Sequence, residues 1–162
     1  MNQLGCAMSK LLLVEDEIHK RDEINGCIQE VFVSLPDMAD SVSSAVLKVK
    51  SQSYDLIILD MALSTFGESA ADNKKGHDQA QGGIEVLRAL KAYKKSTKIL
   101  IVTQYPDFFI GGAKVKLKSS IDIIRKKYSQ DVVGAILYTY KSKPTLQKIT
   151  SILRSVRENI AD

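Results

Sequence analysis

The sequence predicts an α/β chain: a doubly wound parallel sheet of five strands with helices on both faces. Three observations carry that expectation. Leu11-Leu12-Leu13-Val14, Leu56-Ile57-Ile58-Leu59 and Ile99-Leu100-Ile101-Val102 are short, unbroken apolar runs. Strands covered on both faces read this way, whereas half-exposed strands alternate. Helical spacing fills the intervals between the runs. Strand and helix thus alternate five times along the chain, a pattern met by right-handed crossovers and a parallel sheet.

Each element has its own signal. After the first run, Ile24, Ile28, Val31 and Leu35 recur at helical spacing. A weaker strand from Met38 to Val42 and a short helix from Ser44 to Lys50 occupy the interval before the second run. Ile84, Leu87 and Leu90 mark a helix ahead of the third. A fifth strand, Ala135 to Tyr140, precedes a last helix. Its Leu146, Ile149, Leu153, Val156 and Ile160 lie three and four apart and form one apolar face. Ser64 to Gln81 and Gln104 to Ser120 are longer than strand-to-helix connections need to be. Both follow the carboxyl ends of strands, where α/β sheets build binding sites. Residues 1–9 lack periodicity and are expected to be a flexible segment. Residues 10–162 are expected to form one domain, with insertions at about 64–81 and 104–120.

Composition narrows the function classes. The 162 residues are 44% hydrophobic and 26% charged, enough for one core. No stretch approaches the roughly eighteen apolar residues of a membrane span, and none reads as a secretory signal. Cys6 and Cys27 make no metal or disulfide pattern, so a reducing cytoplasm is expected. The net charge is +4. Lys114, Lys116, Lys118, Arg125, Lys126 and Lys127 cluster without aromatic or motif support, so they read as a solvated helix face rather than a nucleic-acid site. Gly111-Gly112 lacks the spacing of a dinucleotide fingerprint. His19 and His77 have no partner for zinc or for nucleophilic catalysis; His19 is expected on the exposed face of the first helix.

The residues able to carry chemistry collect at strand ends. Glu15, Asp16 and Glu17 follow the first run, and Asp60 ends the second. A carboxylate ending a buried strand is costly unless positive charge lies against it. Glu17 reads as a helix-capping acid. Asp16 and Asp60, at the ends of strands expected to be neighbours, read as ligands for a hard cation such as Mg²⁺. Thr103 ends the third run and Lys141 follows the fifth strand. Carboxylates, a hydroxyl donor and a cation on separate parallel strands are what holding a phosphoryl group requires.

These residues resemble response-regulator receiver domains over about Lys10 to Glu158. Leu12-Leu13-Val14-Glu15-Asp16-Glu17 is similar to the family's first strand and acidic pair. Tyr54-Asp55-Leu56-Ile57-Ile58-Leu59-Asp60-Met61-Ala62-Leu63 is similar to its phosphoacceptor strand, and is the most specific part. Gly82-Gly83-Ile84-Glu85-Val86-Leu87 resembles the start of the third helix, Ile101-Val102-Thr103 the fourth strand, and Gly134-Ala135 with Tyr138 and Lys141 the fifth. The resemblance implies a flavodoxin-like sheet of order 2-1-3-4-5. It implies phosphoryl transfer to Asp60 from a phosphohistidine of a histidine kinase or histidine phosphotransfer protein, and a downstream protein target. Asp16, Asp60 and the Ala62 carbonyl would hold Mg²⁺, with Glu15 acting through water. Thr103 and Lys141 would contact the phosphoryl group, and Tyr138 would be the switch aromatic. Lys143, before Pro144, is the alternative to Lys141. Departures are the two insertions and Ser64 in place of the family's proline.

Overall fold

A computed structural model describes residues 8–63 and 82–161. The five strands of the main sheet are β1 (Leu11–Val14), β2 (Asp37–Ala39), β3 (Leu56–Leu59), β4 (Lys98–Thr103) and β7 (Asp131–Leu137). All neighbours are parallel, in the order β2-β1-β3-β4-β7. With β7 as the fifth strand of that sheet, this is the expected 2-1-3-4-5 order. Helices α1 (Ile18–Val31), α2 (Val42–Ser51), α3 (Gly82–Ala92), α4 (Leu117–Tyr128) and α5 (Lys143–Ala161) cover it. None of these helices is long and apolar enough to cross a membrane.

The unbroken apolar runs have a direct structural reason. Successive strand side chains point to opposite faces, and each face has its own core. Leu12, Val14, Ile57, Leu59, Ile99 and Ile101 pack with residues of α2, α3 and α4. Leu11, Leu13, Leu56, Ile58, Leu100 and Val102 pack with α1 and α5. The apolar face expected of the last helix is seated there, with Ile149, Leu153 and Val156 buried.

Several boundaries differ from the sequence pattern. Helix α1 ends at Val31, with Phe32 as its C-cap, and Leu35 is exposed beyond it. Helix α2 begins earlier than expected because Ser41 and Ser44 form a reciprocal capping box. Strand β7 covers Asp131–Leu137 rather than Ala135 to Tyr140, because Asp131 and Val132 extend its ladder with β4.

The segment 104–120 is ordered structure. Strands β5 (Asp107–Ile110) and β6 (Ala113–Lys116) form an antiparallel hairpin leading into α4. Gly111 and Gly112 make its two-residue turn with φ of +58° and +80°, a geometry that favours glycine. Phe108, Ile110 and Val115 bury one side of the hairpin in the α2–α3–α4 core. The expected insertion at 64–81 and residues 1–7 of the segment expected at 1–9 lie outside the described residues. The lysines and arginine of 114–127 are exposed.

Candidate functional site

Glu15 and Asp60 follow directly on β1 and β3, whose register sets Val14 against Leu59. Main-chain hydrogen bonds hold both acids at the sheet edge. Glu15 N donates to Ala39 O at 3.0 Å, and Asp60 N donates to Val14 O at 3.1 Å. Carboxylate oxygens of Glu15, Asp16 and Asp60 lie within 4.8 Å of one another. Glu15 is 1% exposed and Asp60 5%. Asp16 is half-buried.

Lys20 brings positive charge to them. It is 1% exposed, and its Nζ lies 2.6 Å from Glu15 Oε1 and 3.2 Å from Asp60 Oδ1. Asp60 Oδ1 also accepts the Ala62 N–H at 3.1 Å. Burial first, and the neighbouring Asp60 carboxylate second, push Glu15 up to about 8 against the pull of Lys20. Burial also raises Asp60, with Lys20 the main opposing influence. One ammonium therefore pairs with two of the three clustered carboxyl groups, while burial works against the charged forms of those two. A hard divalent cation that binds oxygen through one or two carboxylates fits this donor set.

Packing of the next helix fixes the loop beneath the acids. Gly83 N donates to Met61 O at 3.0 Å. A Cβ at Gly83 would come within 2.7 Å of Met61 Cα and 2.8 Å of Asp60 O. The Gly-Gly pair therefore lets α3 start against the Asp60–Met61 backbone.

Thr103 is fully buried at the end of β4, beside β3. Its carbonyl accepts the Tyr138 N–H at 2.7 Å, and its Oγ1 accepts the Tyr105 N–H at 3.4 Å. Tyr138 is buried just past β7, its hydroxyl donating to Glu23 Oε1. Lys20 Nζ lies 5.5 Å from the centre of the Tyr138 ring. Gln104 reaches over from the β4 end, donating to Glu17 Oε2 at 3.3 Å.

The expected lysine is elsewhere. Strand β7 ends at Leu137, so Lys141 falls in the following turn, exposed, with φ of +55°. Its Nζ lies 5.3 Å from the centre of the Tyr140 ring, and its N–H donates to Glu23 Oε1 at 3.2 Å. Lys143 is exposed at the start of α5. Among the described residues, Lys20 is the cation in ion-pair contact with Asp60. The α1 stripe contained its signal. Lys20, Ile24, Cys27, Ile28 and Val31 are the buried positions of that helix, so one step of four back from Ile24 lands on Lys20. His19 is exposed as expected, its ring 5.5 Å from that of Tyr140.

The structure is similar to the response regulator domain of Thermotoga maritima CheB, with a TM-score of 0.60 and 18% identity, covering 96% of this chain and 98% of that one. It is also similar to the response regulator protein TrrA of Thermotoga maritima, solved in complex with Mg²⁺ and BeF. There the TM-score is 0.55 and the identity 21%, over 90% of this chain and 99% of that chain. These likenesses define the fold class. No family model matches the chain. In sequence it is 31% identical over 149 residues to the Detocs response regulatory protein DtcB of Vibrio alginolyticus, covering 90% of this chain and 99% of that protein. The chain belongs to the response-regulator family and is a receiver domain.

Proposed function

We propose that this receiver domain accepts a phosphoryl group on Asp60 from a phosphohistidine, in a Mg²⁺-dependent reaction, and thereby switches a protein–protein interaction. The observation carrying this reading is the placement of Asp60 at a strand end, with three carboxylates clustered and a cation against them. The donor is a histidine kinase or a histidine phosphotransfer protein, and the recipient of the signal a downstream protein in the cytoplasm. The resident activity is self-catalysed transfer and aspartyl-phosphate hydrolysis, without a separate enzymatic substrate.

A carboxylate oxygen of Asp60 attacks phosphorus. The new O–P bond forms as the P–N bond of the donor breaks, and the electron pair stays on the imidazole nitrogen. Asp16, Asp60 and the Ala62 carbonyl would hold Mg²⁺, with Glu15 acting through water. When bound, Mg²⁺ would supply neutralisation of charge on the phosphoryl oxygens. Thr103 supplies a hydroxyl donor from the adjacent strand. Tyr138, whose N–H is tied to the Thr103 carbonyl, repacks as Thr103 moves.

One observation favours a second reading, a module of receiver fold that is not switched by phosphate: Lys141 lies in a turn with its ammonium on Tyr140. One experiment separates the two. With Mg²⁺ and acetyl phosphate or a phosphoramidate, the wild type is expected to gain one acid-labile phosphoryl group by intact mass, and Asp60→Asn none. A wild type left unmodified by both donors establishes the second reading.

A further inference from the structure

We infer that Lys20, on the first helix, is the cation that contacts the phosphoryl group on Asp60. This rests on the proposal that Asp60 is the phosphoacceptor, and moves the charge-neutralising role from a strand end to a helix. Lys20 occupies an inner-face position that the rest of α1 fills with Ile24, Cys27, Ile28 and Val31. A buried ammonium is costly to desolvate unless it is paired. Its pairing is with Glu15 at 2.6 Å and Asp60 at 3.2 Å, two groups of the site itself.

The contact is already made to Asp60 Oδ1, so an oxygen of a phosphoryl group bonded to that carboxylate comes within reach by side-chain rotation alone. Glu15 keeps the ammonium at the sheet edge while Asp60 changes from carboxylate to acyl phosphate. No proton is transferred through Lys20. The place just past β7 is filled by Tyr138, whose ring lies beneath the Lys20 ammonium and whose hydroxyl is tied to Glu23. Lys20 and Glu23 are one turn apart on α1, so a single helix face holds both the cation and the aromatic. Lys141 and Lys143 are exposed, and Lys141 Nζ is set on Tyr140.

The test compares wild type, Lys20→Met, Lys20→Arg and Lys141→Met for the initial rate of phosphoryl gain from acetyl phosphate. In that reaction the P–O bond breaks and acetate leaves. Lys20→Met is expected to slow the reaction by roughly a hundredfold, the loss typical of one preorganised charge at a reacting centre. Lys20→Arg should recover part of that loss, and Lys141→Met should stay within about twofold of wild type, as for an exposed side chain. Mg²⁺ binding by calorimetry should be retained in Lys20→Met, since its carboxylate ligands are intact. A second measurement needs no variant. The buried Lys20 ammonium should give a slowly exchanging ¹⁵Nζ resonance that shifts when Mg²⁺ and beryllium fluoride are added. Normal rates in Lys20→Met with loss in Lys141→Met overturn the assignment while leaving Asp60 as acceptor. So does a Lys20 resonance unmoved by beryllium fluoride in a protein that is phosphorylated. A wild type that takes no phosphoryl group overturns the assignment together with the reading beneath it.

Discussion

The two ends of the main sheet handle polar groups in opposite ways. At the amino ends of the strands, Tyr54 donates to Asp37 Oδ2 at 2.7 Å, and Gln52 donates to the same oxygen at 3.0 Å. Thr97 Oγ1 donates to the Tyr54 carbonyl at 2.6 Å, while Gln130 accepts the Thr97 N–H at 2.9 Å and donates to the Lys95 carbonyl at 2.8 Å. Donors there meet acceptors, and most of the groups are neutral. At the carboxyl ends, Glu15, Asp16 and Asp60 crowd together, and one ammonium pairs with Glu15 and Asp60. The first arrangement ties strands together. The second works against folding, since like charges are gathered and buried, and such local conflict is expected where a ligand supplies the missing charge.

The largest effect on this contrast is expected from Gly83→Ala. The new methyl would meet backbone atoms, Met61 Cα at 2.7 Å and Asp60 O at 2.8 Å, which cannot swing away as a side chain can. Overpacking of this kind costs about 1–3 kcal/mol. At about 2–4 °C per kcal/mol for a chain of this length, the melting temperature should fall by several degrees. Phosphoryl gain at Asp60 should fall with it, because the loop that carries the acceptor is displaced. An unchanged melting temperature would show that α3 can retreat from the loop freely.

Tyr54→Phe probes the other end. Deleting the hydroxyl leaves Asp37 and Gln52 without that partner, at a cost of about 1–2 kcal/mol, and phosphoryl gain at Asp60 should be unaffected. The variant also has a pH signature. Burial first, and the hydrogen bond to Asp37 next, hold the folded phenol above its ordinary value. Above about pH 10 the unfolded chain loses this proton while the folded chain keeps it. That difference removes wild-type stability as pH rises, and the variant, which lacks the phenol, cannot contribute to it. Denaturant midpoints between pH 8 and 11 should therefore converge for the two proteins. Midpoints that stay parallel would place the alkaline loss in other groups.

The contrast also explains what was legible in the sequence. Buried parallel strands write themselves as apolar runs, so β1, β3 and β4 were visible at once, with the acids that follow β1 and β3. The order of the sheet followed from the family resemblance. Lys20 was hidden because a lysine on a helix normally marks the solvated side, and only the buried positions of α1 reveal that this one points inward. The position of Lys141, exposed in a turn, was hidden for a related reason. The ladder of β7 is shifted toward Asp131, and a left-handed turn follows. Neither feature has a strong local signature. The hairpin at 107–116 was read only as a long connection. Gly111-Gly112 was read only as lacking a dinucleotide fingerprint, not as a turn, and the burial of Phe108, Ile110 and Val115 on one side was not anticipated.

The smallest effect, and one of opposite sign to Tyr54→Phe, is expected from Asp16→Asn. Asp16 adds to the charges that raise Asp60, so neutralising it relieves repulsion within the cluster. Asp16 is half-buried, and water screens part of that repulsion, so the gain should stay below about 1 kcal/mol. Without Mg²⁺ the variant should melt slightly above wild type. With Mg²⁺ the order should reverse or close, because an ion that binds the folded state stabilises it in proportion to its affinity. The wild type keeps all three carboxylates, so it should gain more from the ion. Two melting curves per protein, with and without Mg²⁺, measure the whole effect. An identical Mg²⁺-induced rise in both proteins would remove Asp16 from the metal site and leave Glu15 and Asp60 as its carboxylates.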